Sequence, residues 1–148
     1  MKKLIAITAA AAIVAMAGSA LAATATLAVS ATVANACSVT GGTLSFGPLN
    51  TLTAPAVPGS SSGVSVTCTK LDPYTVAVDK GVNFVGSQAY MKNTTNADTI
   101  PYSLTVPAVS PGTGAAQAIT ITGNIAASSY STVSAGTYND SVTITVTP

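Results

Sequence analysis

The residues that could carry chemistry in this chain are two cysteines, Cys37 and Cys68, four aspartates, Asp72, Asp79, Asp98 and Asp140, and five tyrosines. His, Glu, Arg and Trp do not occur. Without imidazole there is no Ser–His–Asp or Cys–His relay and no His-bearing zinc site. A paired-carboxylate mechanism would have to draw on aspartates that lie far apart in sequence. Lys70, Lys80 and Lys92 are too scattered for a basic stripe, which argues against a nucleic-acid partner. No phosphate loop, metal cluster or cofactor motif is present, so neither a cofactor nor a small-molecule substrate is expected. The inventory reads as non-enzymatic, a structural or binding protein.

The remaining polar groups admit plain readings. Lys70, Asp72, Asp79 and Lys80 bracket one apolar run and are expected to be solvated charges at strand ends. Tyr74, Tyr90, Tyr102, Tyr130 and Tyr138 could stack on sugar rings if clustered, but Tyr74, Tyr102 and Tyr138 fall in strand phase, where partial core burial is the expectation. Asn93-Thr94-Thr95 and Asn139-Asp140-Ser141 fit the N-glycosylation pattern and equally read as turn or strand-start residues.

The elements that must position these groups begin after an export segment. Residues 1–22 carry Lys2 and Lys3, then a largely apolar run from Leu4 to Ala17, then Ala20-Leu21-Ala22 with small residues where a signal peptidase reads them. This is the form of a secretory signal peptide, too short for a comfortable membrane span; an uncleaved anchor is the alternative. No Cys follows the cleavage point, against a lipoprotein, and no early Glu supports a type IV prepilin. Removal of residues 1–22 leaves a single domain, 23–148, with three Lys and four Asp and a net charge of −1. So little charge leaves little repulsion to oppose association.

From residue 23 on, apolar and polar residues alternate with period two. Ala25, Leu27, Val29, Ala31 and Val33 form the first run. Leu44 and Phe46, then Val64, Val66 and Cys68, then Tyr74, Val76 and Val78 follow, and then Ile100, Tyr102, Leu104 and Val106, and Ile119 and Ile121. The last run is Tyr138, Val142, Ile144 and Val146. Turn chemistry separates them at Asp79-Lys80-Gly81, Asn93 to Asn96, Pro111 to Gly114 and Ser134-Ala135-Gly136. The low-complexity stretch 54–63, APAVPGSSSG, reads as a surface loop. About seven short strands in this length point to an all-β, antiparallel, immunoglobulin-like sandwich.

Cys37 continues the odd-numbered phase of the first run and Cys68 continues that of Val64 and Val66. If those strands are neighbours, both thiols face the same interior, and an exported chain meets an oxidising compartment. Free reactive thiols are the alternative; with no His and no CxxC spacing nothing lowers a thiol pKa, so a structural disulfide is expected. On the chain-entropy account it contributes about 3–4 kcal/mol.

In its segments the chain resembles the spore coat protein U domain family, which includes subunits of archaic chaperone–usher pili. ATATLAVSATVANACSV is similar to the family's opening strand running into a first cysteine, and SGVSVTC at 62–68 to the strand with the second. IPYSLTV at 100–106 and GNI at 123–125 resemble further elements. The closing GTYNDSVTITVTP, with Gly136, Tyr138 and Asp140, resembles the ending G-x-Y-x-D-x-V-x-V-T-V. Where many members have an Arg, this chain has Tyr90-Met91-Lys92, and it ends on Pro148 instead of an aromatic.

The resemblance implies a sandwich that lacks its last strand and is completed by a donor strand from another molecule. Residues 23–33 are the candidate donor, with Ala25, Leu27, Val29, Ala31 and Val33 as its knobs; the part near Ala23–Val29 would be donated and that near Ala31–Val39 kept at home. Tyr138, Val142, Ile144 and Val146 would form the last strand and the acceptor groove. The implied partners are copies of the same chain, a periplasmic chaperone and an outer-membrane usher. The implied role is a pilus or fimbria subunit in adhesion or biofilm formation, passing through the periplasm to the cell surface. Two alternatives stand beside it: a spore or cell coat protein with the same domain, and a self-contained secreted carbohydrate-binding module.

Overall fold

The computed structural model describes residues 22–109 and 111–148. The export signal expected over 1–22 therefore lies, Ala22 apart, outside the described residues. The chain divides into a segment ending at Thr32 and a body running from Val33 to Pro148. In the described part of the first, residues 22–32, there is no strand and every side chain is exposed. An alternating run needs a second edge to pair with; alone, its N–H and C=O groups are left to water.

The body is all-β, with no helix among the described residues. Its strands are β1 (Cys37–Thr40), β2 (Thr43–Ser45), β3 (Val57–Ser62), β4 (Ser65–Cys68), β5 (Thr75–Val78), β6 (Ala89–Asn93), β7 (Thr99–Thr105), β8 (Gln117–Ala118), β9 (Thr122–Ile125), β10 (Tyr138–Asn139) and β11 (Ile144–Thr147). They form a six-stranded sheet in the order β10-β6-β7-β9-β3-β2, a three-stranded sheet β1-β4-β8 and a pair β11-β5. Every pairing among them is antiparallel. The first strand of this body starts at Cys37, and Ala36 just before it already bonds to Thr69. The strand's register is fixed by Cys37 standing directly opposite Cys68.

The core is built from the inward phase of these strands. Val64, Val66, Cys68, Tyr74, Ile119 and Ile121 form one buried cluster. Ala54, Ile100, Tyr102, Ile125 and Tyr130 form another, and Leu104 packs against both. Tyr74, Tyr102 and Tyr130 are buried, so they are core residues and present no exposed aromatic platform for a sugar. Tyr130 lies outside any strand phase, and its Oη donates to the Pro55 carbonyl at 2.9 Å.

One expectation is overturned here. Residues 57–62, inside the stretch read as a surface loop, are strand β3, paired on one side with β2 and on the other with β9. Gly and Ser are weak strand formers, which hid the strand. The reason for them is steric: Gly59 stands opposite Gly123, and Leu44 and Phe46 lie across both. A Cβ at Gly59 would come within 2.9 Å of Leu44 and 2.8 Å of Phe46. The glycines make a flat bed for two side chains that would otherwise have nowhere to go.

Candidate functional site

The two edges of the six-stranded sheet, β2 and β10, line the same open groove. One cavity of about 390 Å³ is walled by Gly42, Thr43, Leu44 and Phe46 on one side and by Tyr138 to Val142 and Ile144 on the other. Its floor is the core itself, with Val64, Val78, Met91, Tyr102, Leu104 and Ile121. A second cavity of about 620 Å³ continues between Leu44–Leu49 and Val133–Asn139. The two share Leu44, Phe46, Met91, Tyr138 and Asn139 and so form one groove. Leu44, Phe46, Val78, Met91, Leu104, Tyr138, Val142 and Ile144 are all only half-buried, so an apolar core stands partly uncovered.

Both walls are strand edges. Among the described residues β2 pairs only with β3, β10 only with β6, and β11 only with β5. Alternate residues on the free side of such a strand point their N–H and C=O groups away from the ladder. β1 also comes within 8 Å of β11, Cα to Cα, without pairing to it. An exposed apolar edge of this kind is a template for another strand.

The wall from Ser134 to Thr143 is fastened by three of the four aspartates, one of them its own Asp140. Asp98 Oδ2 accepts from the Ser134 N–H at 2.8 Å, and this bonding to Ser134 holds the carboxyl below its ordinary range. Asp79 Oδ1 accepts from the Thr143 N–H and the Gly81 N–H, both at 2.9 Å, and its pKa is likewise lowered, first by Thr143 and then by Gly81. Asp140 takes four donors: Val82 N–H at 3.1 Å, Asn83 N–H at 3.2 Å and Asn83 Nδ2 at 2.9 Å on Oδ1, and Tyr102 Oη at 2.6 Å on Oδ2. Burial, that hydrogen bond and the negative charges of Asp140 and Asp79 push the Tyr102 phenol well above its ordinary range. The backbone adds Val82 N–H to Ser141 O and Thr94 N–H to Thr137 O. Gly81, at φ +78°, sits where a Cβ would strike the Asp140 carboxylate.

The motif residues singled out in sequence now have stated roles. Gly136 lies against the Asn93 amide, where a Cβ would be 2.6 Å from Nδ2. Asn93 is 3% exposed and its Oδ1 accepts from Thr95, so this sequon is closed in the folded chain. Tyr138 and Asp140 are on the wall, Val142 and Ile144 line the groove, and Val146 is half-buried against the cluster around Val66 without lining it. The candidate donor residues Ala25, Leu27, Val29, Ala31 and Val33 are exposed, Leu27 and Val29 at 87%. Sequence reading missed the facing wall at Gly42–Leu49, the floor residue Met91 and the fastening by Asp79 and Asp98. The only signal for the wall was the short alternation of Leu44 and Phe46.

Cys37 and Cys68 are joined in a disulfide, Cα atoms 4.1 Å apart, closing β1 onto β4. Asp72 is a second correction: it was expected in solvent and is 2% exposed, under the disulfide. The Cys37, Cys68 and Asp72 ligand atoms lie within 4.8 Å of one another, but disulfide sulfurs offer no thiolate to a metal.

The fold and groove define a structural β-sandwich domain with an unpaired, apolar edge on display. The Spore Coat Protein U domain matches residues 23–108, and the chain belongs to that family. It is a family of structural, coat- and pilus-type surface proteins. A comparison with curated proteins finds no match.

Proposed function

We propose that this chain is an exported subunit of a surface fibre, completed by a strand from a neighbouring copy. The observation that carries the reading is the groove: a partly uncovered apolar floor between two strand edges that, among the described residues, have no partner on that side. Neighbouring strands lie about 4.8 Å apart, so an inserted strand can bond to one wall while its inward side chains cover the floor. Residues 23–33 have the required form and stand exposed, with Leu27, Val29 and Val33 as larger knobs. Burying those three contributes roughly 5–9 kcal/mol before the costs of ordering.

In this reading residues 1–22 direct export and are removed. A periplasmic chaperone covers the groove in transit, an outer-membrane usher receives the subunit, and each subunit then takes the 23–33 segment of the next. The assembled fibre serves adhesion or biofilm formation at the cell surface.

The test is deletion of residues 23–29, expressed with a matching chaperone and usher. The shortened chain should be exported and recovered with the chaperone, and it should form no filaments in electron micrographs. Filaments of normal appearance from the deleted chain would refute donation through this segment. A synthetic peptide of residues 23–33 should bind the deleted chain, and Leu27→Asp in that peptide should abolish binding.

A further inference from the structure

Asp72 takes no part in fastening the groove wall, yet it is 2% exposed. Among the described residues its Oδ1 has no hydrogen-bond partner. Its Oδ2 has one polar neighbour, Cys37 Sγ at 3.7 Å, and that sulfur carries no proton while the disulfide is closed. A buried carboxyl without a partner is costly, so its retention calls for a use. The backbone is bent to place it. Leu71 is held at φ +65°, a region that residues other than Gly seldom enter. Leu71 N–H donates to Gly112 O at 2.7 Å, Asp72 N–H to Thr69 O at 3.1 Å, and Gly112 N–H to Asp72 O at 2.8 Å. Gly112 itself is pressed onto β4, where a Cβ would lie 2.8 Å from that of Cys68.

The titratable groups around the carboxyl are few. Cys37 comes from β1 and Cys68 from β4; Tyr74, two residues on, is buried in the same cluster as Cys68. Lys70 is exposed, and the described part of the packed loop, 111–114, has no titratable side chain.

We propose that Asp72 is the proton acceptor for both thiols when the Cys37–Cys68 disulfide forms. Cys37 is the more accessible of the pair and meets the oxidant, an external disulfide, first. Its S–H proton passes to the Asp72 carboxylate as Sγ attacks one sulfur of the oxidant. The oxidant's S–S bond breaks, and the departing thiolate is protonated from Asp72 through solvent. Cys68 then gives its proton to the regenerated carboxylate and attacks Cys37 Sγ. The Cys37–Cys68 bond forms, the mixed disulfide breaks, and a second external thiol leaves. Two protein thiols are oxidised and one external disulfide is reduced to two thiols. Each attacking sulfur, Cys37 and then Cys68, reacts as the thiolate, and each external sulfur departs as one.

The full chain, reduced with a phosphine and freed of it, is re-oxidised by glutathione disulfide, and acid-trapped thiols are counted by mass. At pH 6.5 Asp72→Asn should close about 10-fold more slowly than the unaltered chain. The gap should narrow by pH 9, where thiols of ordinary pKa near 8.5 ionise unaided. In denaturant the two chains should close at equal rates. Equal rates and parallel pH profiles in the folded state would overturn the proposal, since a merely structural carboxyl leaves the profile unmoved. Should the variant not fold, the unaltered reduced chain decides: alkylation of Cys37 against pH should show two inflections, for a coupled carboxyl and thiol. A single thiol inflection would overturn it.

Discussion

Replacing Asp140 by Asn tests how the groove wall is held. The carboxylate accepts three donors on Oδ1 and the Tyr102 hydroxyl on Oδ2. An Asn amide keeps one oxygen, now uncharged, for the Val82 and Asn83 donors and turns its NH2 toward the Tyr102 hydroxyl, which loses its acceptor. Bonds to a charged acceptor contribute about 1.5–3 kcal/mol each, and a buried donor left without one costs about 1–3 kcal/mol. Asp140 is only half-buried and water can reach part of the site, so the lower end applies, about 2–3 kcal/mol in all. Tyr102→Phe removes one donor and leaves three, which should cost about 1 kcal/mol. Because the two side chains share a bond, the double variant should cost about 1 kcal/mol less than the sum.

The assay is equilibrium urea unfolding followed by circular dichroism and tyrosine emission, since the chain has no Trp. The same pair makes a pH test. The Tyr102 phenol is raised in the folded chain, so its contribution is intact below the ordinary phenol pKa of about 10 and is lost as pH rises through the folded value. The advantage of the unaltered chain over Tyr102→Phe should therefore shrink above about pH 10. If Asp140→Asn unfolds within about 0.5 kcal/mol of the unaltered chain, the fastening attributed to this carboxylate is wrong. A gap that widens above pH 10 would be equally damaging.

Asp79 and Asp98 are both lowered below 3.8, so their contribution is complete above that pH and is lost as pH falls below it toward the folded values. Stability of Asp79→Asn and Asp98→Asn should accordingly fall less steeply than that of the parent as pH drops below 3.8, as read by circular dichroism. Gly59→Val should destabilise by about 2–4 kcal/mol, because the side chain meets the Phe46 ring and Leu44, whereas Ser60→Val on the exposed face of the same strand should be nearly neutral. Cys37→Ser should lower periplasmic yield sharply by removing a bond worth about 3–4 kcal/mol; an unchanged yield would show that β1 holds to β4 without it.

How much of this was open to sequence reading follows from which signals are local. Period-two alternation in Val64–Cys68 and Tyr102–Leu104 marks strands because each inward residue is buried by its own strand's neighbours. The disulfide followed from the phase of the two cysteines together with the oxidising compartment an export signal implies. β3 was hidden because its inward residues, Gly59 and Ser61, are small to receive Leu44 and Phe46 and to bond Ile121 N–H at 2.8 Å, and neither demand is written within the strand. The groove was legible only in half. Val142 and Ile144 alternate plainly, but the opposing wall is the short run Gly42–Leu49 around β2, at the far edge of a six-stranded sheet. Asp72 illustrates the limit of compositional rules, since a charge at a strand end is ordinarily solvated and here a positive φ at Leu71 turns it inward.

The aspartates explain why so neutral a chain keeps the few charges it has. An uncovered apolar groove can be relieved in two ways, by a foreign strand or by its own walls closing on each other. The last wall runs along one edge only, and the apolar floor draws it inward. Asp79, Asp98 and Asp140 oppose that drift because each binds backbone N–H groups at 2.8–3.2 Å, and together these bonds tie the wall to the 79–83 and Asp98 segments. These carboxylates therefore leave the inner edge unpaired while denying it the freedom to collapse. That is the condition the proposed fibre requires, in which a strand supplied from outside, and not the wall itself, would cover the floor.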